Sequence, residues 1–441
     1  MKRRNVVVVA ALLLLAVSAW FGIDDPIFAR VVVLGGTALI LWLSEIVPPY
    51  VPTLVLVATI PLLLGGVSPA YRLGPVLGWA ADPVLALFFG GFALGAAASR
   101  HGIDGFVASQ TLTLSRHHRR SLLALVMVAT AVLSMWMSNI AAAAMMLAAL
   151  RPHLHQSART EPFRRALLIG VAMAANLGGI ATPIGTGPNG IAIASLESTT
   201  RITFLQWMGF AFPLMVAMLA LAFVLIAWAH RVHGAFQPIH VSRVPLQGRA
   251  RGLVGVFAVA VIAWLTEPWH GIPAPTVALL IAAVLFGGGW LGREDLGRID
   301  WSTLLLIAGG LVLARLAGES GLVDALAGGV NWHGLSMSMR VTGFVVVAAV
   351  MGAIVSNTAS AAMLIPLALG LGLPHPIAIL IAIGTAFGVP FAVSSPPNAM
   401  AYGEGGLTAR DLLRVGLPLM LTGSLIVGLS GLAFLRWVGV P

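Results

Sequence analysis

Residues 135–150 read MWMSNIAAAAMMLAAL, and residues 353–369 read AIVSNTASAAMLIPLAL. Each sets a Ser-Asn pair, Ser138-Asn139 and Ser356-Asn357, inside an otherwise apolar run. A second pair of segments follows in the same order: TPIGTGPNGI at 182–191 and FAVSSPPNAM at 391–400. The first motif recurs after 218 residues (138 to 356) and the second after 209 (189 to 398). Polar side chains and helix-breaking Pro and Gly are costly in lipid and tolerated where they line a cavity. One such Ser-Asn pair would read as interhelical glue. Two copies in the same order, each followed by a Pro-Asn break, point to a transporter built from two repeats.

Composition sets the environment. The chain has 441 residues, 59% hydrophobic and 9% charged, with mean hydropathy +0.97. A soluble domain carries roughly a quarter charged residues, so the expected fold class is an all-α polytopic membrane protein. The chain has no cysteine, which excludes disulfides and thiolate chemistry. Its net charge of +10 would suggest nucleic acid in a soluble protein, but here the charge sits in loops between apolar spans. A hydrolase using Ser and His is disfavoured because most histidines fall in those loops, so no enzyme is expected.

About eleven spanning helices are expected, at 5–21, 31–47, 51–66, 83–99, 166–187, 204–229, 252–266, 274–290, 301–318, 376–395 and 412–436. The two Ser-Asn segments, 121–150 and 340–371, read as re-entrant hairpins. With the N-terminus in the cytoplasm, loops 100–120, 151–165, 230–251, 291–300 and 400–411 fall inside, and 19 of the 25 basic residues are then cytoplasmic. Were either hairpin to cross fully, that bias would collapse. Residues 1–21 form an uncleaved N-terminal span, 31–229 and 252–436 two inverted repeats, and 230–251 the cytoplasmic linker. A prokaryotic inner or plasma membrane is the expected location.

The chemistry follows from the breaks. A hairpin tip near the midplane exposes unpaired N–H groups and a positive dipole end, which suit an anion. Ser138, Asn139, Ser356 and Asn357 add side-chain donors. The carbonyls freed at Gly185-Thr186-Gly187-Pro188-Asn189 and Ser394-Ser395-Pro396-Pro397-Asn398 suit a hard cation such as Na⁺. Asn176, ahead of the first break, serves either the site or packing. Glu45, beside Pro48-Pro49, reads as a helix-end partner before a cation or proton site.

These motifs resemble the divalent anion/sodium symporter family of dicarboxylate, citrate and sulfate carriers, marked by two Ser-Asn-Thr hairpin tips and two later Pro-Pro-Asn breaks. SMWMSNIAAAAMML and VSNTASAAMLIPLAL are similar to its hairpins, and LFFGGFALGAAASRHGID and LWLSEIVP to further segments. The resemblance covers nearly the whole chain. It implies a homodimer, an elevator-type mechanism, a small dianion as substrate and Na⁺ as coupling ion. It places Ser138, Asn139, Ser356, Asn357 and Thr358 on the substrate-binding tips, with Thr186 and Ser395 at the breaks beside them. It places Ser134, Ser138, Asn139 and the Gly185 carbonyl on a first sodium site, and Asn357 and the Ser394 carbonyl on a second.

Three positions depart from the family pattern. Ile140 replaces the first motif's Thr, Gly352 stands at the repeat position of Ser134, and Gly187 replaces the first Pro of a Pro-Pro-Asn. The last is expected to loosen its break. The function implied is Na⁺-coupled transport of a C4-dicarboxylate; the alternatives are a sodium-independent exchanger of the same fold or a sulfate or citrate carrier.

Overall fold

The structure, a computed structural model, describes residues 2–44, 46–114, 118–156, 158–196, 201–235, 246, 248–322, 325 and 334–440. Glu45 and half of the 230–251 linker, residues 236–245 and 247, lie outside these residues. The described residues are helical, with no strand among them beyond an isolated bridge from His118 to Ala235. In chain order the helices are α1 (Lys2–Gly22), α2 (Pro26–Ser44), α3 (Val51–Leu64), α4 (Leu73–Ala80), α5 (Pro83–Arg100), α6 (Ile103–Leu114) and α7 (Arg119–Ser134). They continue with α8 (Asn139–Gln156), α9 (Pro162–Gly178), α10 (Gly187–Leu196), α11 (Phe204–Ala229), α12 (Arg249–Leu265), α13 (Glu267–His270) and α14 (Ala274–Gly287). The last are α15 (Trp301–Glu319), α16 (Met337–Ile354), α17 (Asn357–Gly370), α18 (Ile377–Ala386), α19 (Pro396–Gly403) and α20 (Ala409–Trp437).

Among the described residues, α1, α2, α5, α11, α15, α16 and α20 are long and apolar enough to cross a bilayer. The protein is an all-α polytopic membrane protein. The spans expected at 166–187 and 376–395 are each interrupted, as α9 with α10 and α18 with α19. The interruption precedes the prolines. Pro188 and Pro396-Pro397 open the second half-helices, where a missing N–H costs nothing. The chain actually breaks at 179–186 and 387–395, through Gly179, Pro183 and Gly185 in one and Gly388 and Pro390 in the other.

α9 and α18 form the centre of the core. Every residue of α18 is buried, and so is every residue of α9 from Ala166 to Gly178, Asn176 included. Glycines at the end of α9 and just beyond the end of α18 allow backbone contact with a neighbouring helix. A Cβ on Gly178 would collide with the Ala131 carbonyl of α7; one on Gly388 would lie 2.7 Å from the Ala349 carbonyl of α16. The same contact thus recurs at 131 and 349, 218 residues apart.

The basic loops share one face. Arg100 pairs with Asp295, Arg119 with Glu161 at 3.0 Å, and Arg165 with Asp411 at 3.5 Å. Arg120 donates to the Val232 carbonyl at 2.9 Å. Buried Arg164 donates to the carbonyls of Glu404 at 2.8 Å and of Gly405. On the other face, Arg201 pairs with Glu267 at 2.8 Å. Each of these contacts joins segments that the positive-inside reading assigns to one side.

Candidate functional site

Two helix–break–helix pairs meet at one cavity. α7 ends at Ser134 and α8 starts at Asn139; α16 ends at Ile354 and α17 starts at Asn357. The serines cap the second arm of each: Ser138 Oγ accepts from Ala141 N, and Ser356 Oγ from Ala359 N, both at 3.3 Å. The N-terminal dipole ends of α8 and α17 therefore lie at the tips. The cavity between them measures about 900 Å³. Ser138, Asn139, Thr186, Ser356, Asn357, Thr358 and Ser395 all line it, with Gly185 and Ser394. Ser134 does not; it is fully buried behind Asn139.

Around each asparagine the structure gathers oxygens. Ser134 Oγ lies 2.7 Å from Asn139 Oδ1 and 2.6 Å from the Ala175 carbonyl oxygen, with one proton to donate between them. Turning the Asn139 amide over would place its nitrogen 3.2 Å from the carbonyl oxygens of both Gly185 and Ala175. Turning Asn357 over would place its nitrogen 3.0 Å from the Thr385 carbonyl and 3.3 Å from that of Gly352. Turned over, both amides are satisfied as hydrogen-bond donors to these carbonyls; unturned, their oxygens join the carbonyls as the kind of donor set that a cation would hold together. Glycines keep both clusters open. A Cβ on Gly179 would lie 3.0 Å from the Gly185 carbonyl and collide with Asn139 Oδ1. One on Gly352 would lie 2.8 Å from Asn357 Oδ1 and collide with the Thr385 carbonyl. Uncharged oxygen donors in a space only glycine leaves free fit an alkali cation.

The break asparagines act differently from expectation. Asn189 Nδ2 donates to the carbonyls of Gly179 at 3.0 Å and Thr182 at 2.9 Å. Asn398 Nδ2 donates to those of Val389 and Phe391, both at 2.9 Å. These amides occupy carbonyls that the breaks free, while the Gly185 carbonyl stays with Asn139. Asn176 joins the halves, donating to Asn398 Oδ1 at 3.0 Å; it is buried, and its own Oδ1 has no partner. The Ser394 hydroxyl donates to the Ala353 carbonyl at 2.8 Å, and Ser395 caps α19. Thr182 Oγ1 donates to the Met135 carbonyl, tying the first break to the first tip.

Gly187 has a packing reason. A Cβ there would lie 2.6 Å from Thr358 Oγ1 and 2.9 Å from its Cγ2. The second tip rests on the start of α10, so Gly187 admits close packing, where the sequence suggested a loosened break. The cavity also has walls that the motifs do not announce: Val47–Pro49, Phe92 of α5, and Asp300, Ser302 and Thr303 at the start of α15. The Asp-x-x-Thr pattern at 300–303 signals a helix cap, but nothing local places it opposite the tips. The backbone oxygens of Ala175, Thr385 and Gly352 carry no residue-type signal at all.

The chain is 30% identical over 424 residues to an uncharacterized transporter of Haemophilus influenzae, covering 90% of this chain and 89% of that one. It is 27% identical to the inorganic phosphate transporter PHO87 of Saccharomyces cerevisiae, covering 90% of this chain and 46% of that longer protein. It is also 27% identical to the sodium-dependent dicarboxylate transporter SdcS of Staphylococcus saprophyticus, covering 88% of this chain and 82% of that one. Among solved structures, the Alcanivorax borkumensis YdaH transporter superposes with a TM-score of 0.57 at 16% identity, covering 89% of this chain and 98% of that one, a likeness of fold. These relatives are transporters and not enzymes. The family model described as citrate transporter, CitMHS, matches residues 38–384, and the chain belongs to that family of membrane transporters.

Proposed function

We propose that this protein is a secondary transporter of small organic dianions, C4-dicarboxylates first, driven by Na⁺. The observation that carries the proposal is the pair of oxygen clusters behind the two tips of one cavity, at Asn139 and Asn357. Sodium bound there would offset charge beside the anion, so each ligand would stabilise the other. Ser134, Asn139 and the carbonyls of Ala175 and Gly185 would hold one ion; Asn357 and the carbonyls of Gly352 and Thr385 would hold the other. Ser138 and Ser394 stand next to these clusters. The tip donors at Ser138, Asn139, Ser356, Asn357 and Thr358, with Thr186 and Ser395, would bind the substrate.

In this reading α7–α8 and α16–α17 are re-entrant hairpins within inverted repeats 31–229 and 252–436. The hairpins, broken helices, α11 and α20 move as one body past α2, α3, α5, α12, α14 and α15 in an elevator cycle. The basic face is cytoplasmic, and the protein works as a homodimer. The likeness to a sodium-dependent dicarboxylate transporter supports the substrate and the ion.

A second reading, exchange without sodium, is favoured by the second cluster, where Gly352 supplies no hydroxyl. The test is uptake of labelled succinate into proteoliposomes with and without an inward Na⁺ gradient, and with and without internal dicarboxylate. Uptake that requires Na⁺ supports the symporter; uptake only into preloaded vesicles supports the exchanger. Citrate, sulfate and phosphate as competitors rank the anion.

A further inference from the structure

α15 runs past the site from end to end. Its start, Asp300 to Leu306, lines the cavity that holds the two tips. Its far end, including Ala314 and Arg315, lines a second cavity of about 520 Å³, closed by Asp82 and by the ends of α10 and α17. Between the two the helix is packed shut. A Cβ on Gly310 would sit 3.0 Å from Ala362 of α17 and 3.2 Å from Ile191 of α10. Asp300 and Arg315 are separated by about 22 Å of helix rise.

We propose that α15 is a charge-graded wall for the transported anion, Asp300 weakening its binding on the basic face and Arg315 strengthening it on the opposite face. The inference rests on the transport reading above. Of α15 the first cavity takes in only the start, which directly follows the loop of the Arg100–Asp295 pair, and it also takes in residues 46–49 of the α2–α3 connection, so it lies toward that pair's face. The second lies at the other end of the same interface.

Asp300 brings a charge that its structural task does not need. Its carboxylate accepts from Thr303 N at 3.0 Å and Thr303 Oγ1 at 2.7 Å, capping α15. Asn would cap as well without the charge. Among the described ion pairs none involves Asp300, and it lines the cavity with only the Thr303 hydrogen bonds and the α15 dipole to offset its charge. A dianion about 10 Å away in a water-like medium would be repelled enough to weaken binding about fourfold. That favours release on this face.

Arg315 is exposed, and none of the described ion pairs includes it. Asp82 shares its cavity but is occupied as the cap of α5, accepting from Val84 N at 2.8 Å. Burial holds the Asp82 carboxyl above its ordinary pKa, while the Val84 N–H and the Arg315 charge pull it down. Arg315 and Asp82 both line this cavity. An elevator stroke along α15 would carry the anion from the Asp300 end toward the Arg315 end.

The experiment is half-saturation by labelled succinate on each face of sided proteoliposomes, for wild type, D300N, R315Q and R315K. D300N is expected to lower the half-saturation concentration about fourfold on the basic face only. That effect should shrink as choline chloride screens it. R315Q is expected to raise it on the opposite face, and R315K to restore it. Equal effects on both faces, none on either, or like behaviour of R315Q and R315K would overturn the inference while uptake itself persists. Wild-type vesicles that carry no dianion would overturn the transport reading and this inference with it.

Discussion

The two tips share a plan and differ in how it is filled. At the first, Ser134 puts a hydroxyl between Asn139 and the Ala175 carbonyl, and Gly179 leaves the space open. At the second, the position equivalent to Ser134 is Gly352, whose own carbonyl approaches Asn357. The third motif residue also differs. Ile140 is 46% exposed and turned to the cavity, whereas Thr358 is seated against Gly187. Anchoring differs as well. Trp136 of the first tip stacks with Phe204 and Trp264, each at 6.1 Å between ring centroids, while Ile354 at the matching place is 69% exposed. The first tip therefore gathers more side-chain oxygen around its asparagine and is more firmly held, and the second carries a hydroxyl where the first has Ile140. A duplicated motif need not yield two equal sites.

The largest expected effect comes from trying to make the tips alike. Gly352→Ser would restore the missing hydroxyl by sequence logic, yet its Cβ collides with the Thr385 carbonyl, a backbone atom that cannot swing aside. The variant should lose uptake and about 1–3 kcal/mol of stability, read by transport and thermal melting. A gain in Na⁺ affinity would show instead that the second cluster accommodates the added hydroxyl. Next is Ser134→Ala, which removes one oxygen from the first cluster. The Na⁺ concentration for half-maximal uptake should rise roughly 10- to 100-fold, as expected for one lost interaction with a charged group. No change would mean that the first cluster binds no ion.

Ile140→Thr sharpens the comparison on the substrate side. A hydroxyl added in the first turn of α8 should tighten dicarboxylate binding up to about tenfold, measured by competition against labelled succinate. Weaker binding would show that the anion uses the isoleucine as an apolar wall. The smallest effect is expected of Gly187→Ala. Its Cβ would meet the Thr358 side chain, which can rotate, so transport should fall roughly two- to tenfold with little loss of stability.

Much of this was legible in the sequence because the signals were chemical. Ser138-Asn139 and Ser356-Asn357 marked the tips, since polar pairs in apolar runs need a reason. The arginine-rich loops marked a common face, and the described contacts among Arg100, Arg119, Arg120 and Arg165 join those loops. The placement of the breaks was less legible. Pro188 and Pro396 drew the eye as breakers, but proline is at ease in a helix's first turn and there starts α10 and α19. The backbone carbonyls of Ala175 and Thr385 were invisible, because any residue carries one. Asp300 announced itself only as a cap, and its position opposite the tips comes from the packing of α15 between α3 and α17, where Thr53 donates to the Leu305 carbonyl at 2.8 Å.

In the proposed mechanism Asn139 and Asn357 present their oxygens to sodium ions. The most direct measurement is the melting temperature of purified protein titrated with NaCl against choline chloride, for wild type, Asn139→Ala, Asn357→Ala and the double variant. Binding to the folded state alone raises stability by RT ln(1 + [Na⁺]/Kd), about 2.7 kcal/mol at one hundred times Kd. A sodium-specific rise is expected in the wild type, a smaller one in each single variant and none in the double. Equal curves in sodium and choline for the wild type would contradict it, and would assign the two amides to hydrogen bonds with the surrounding carbonyls instead.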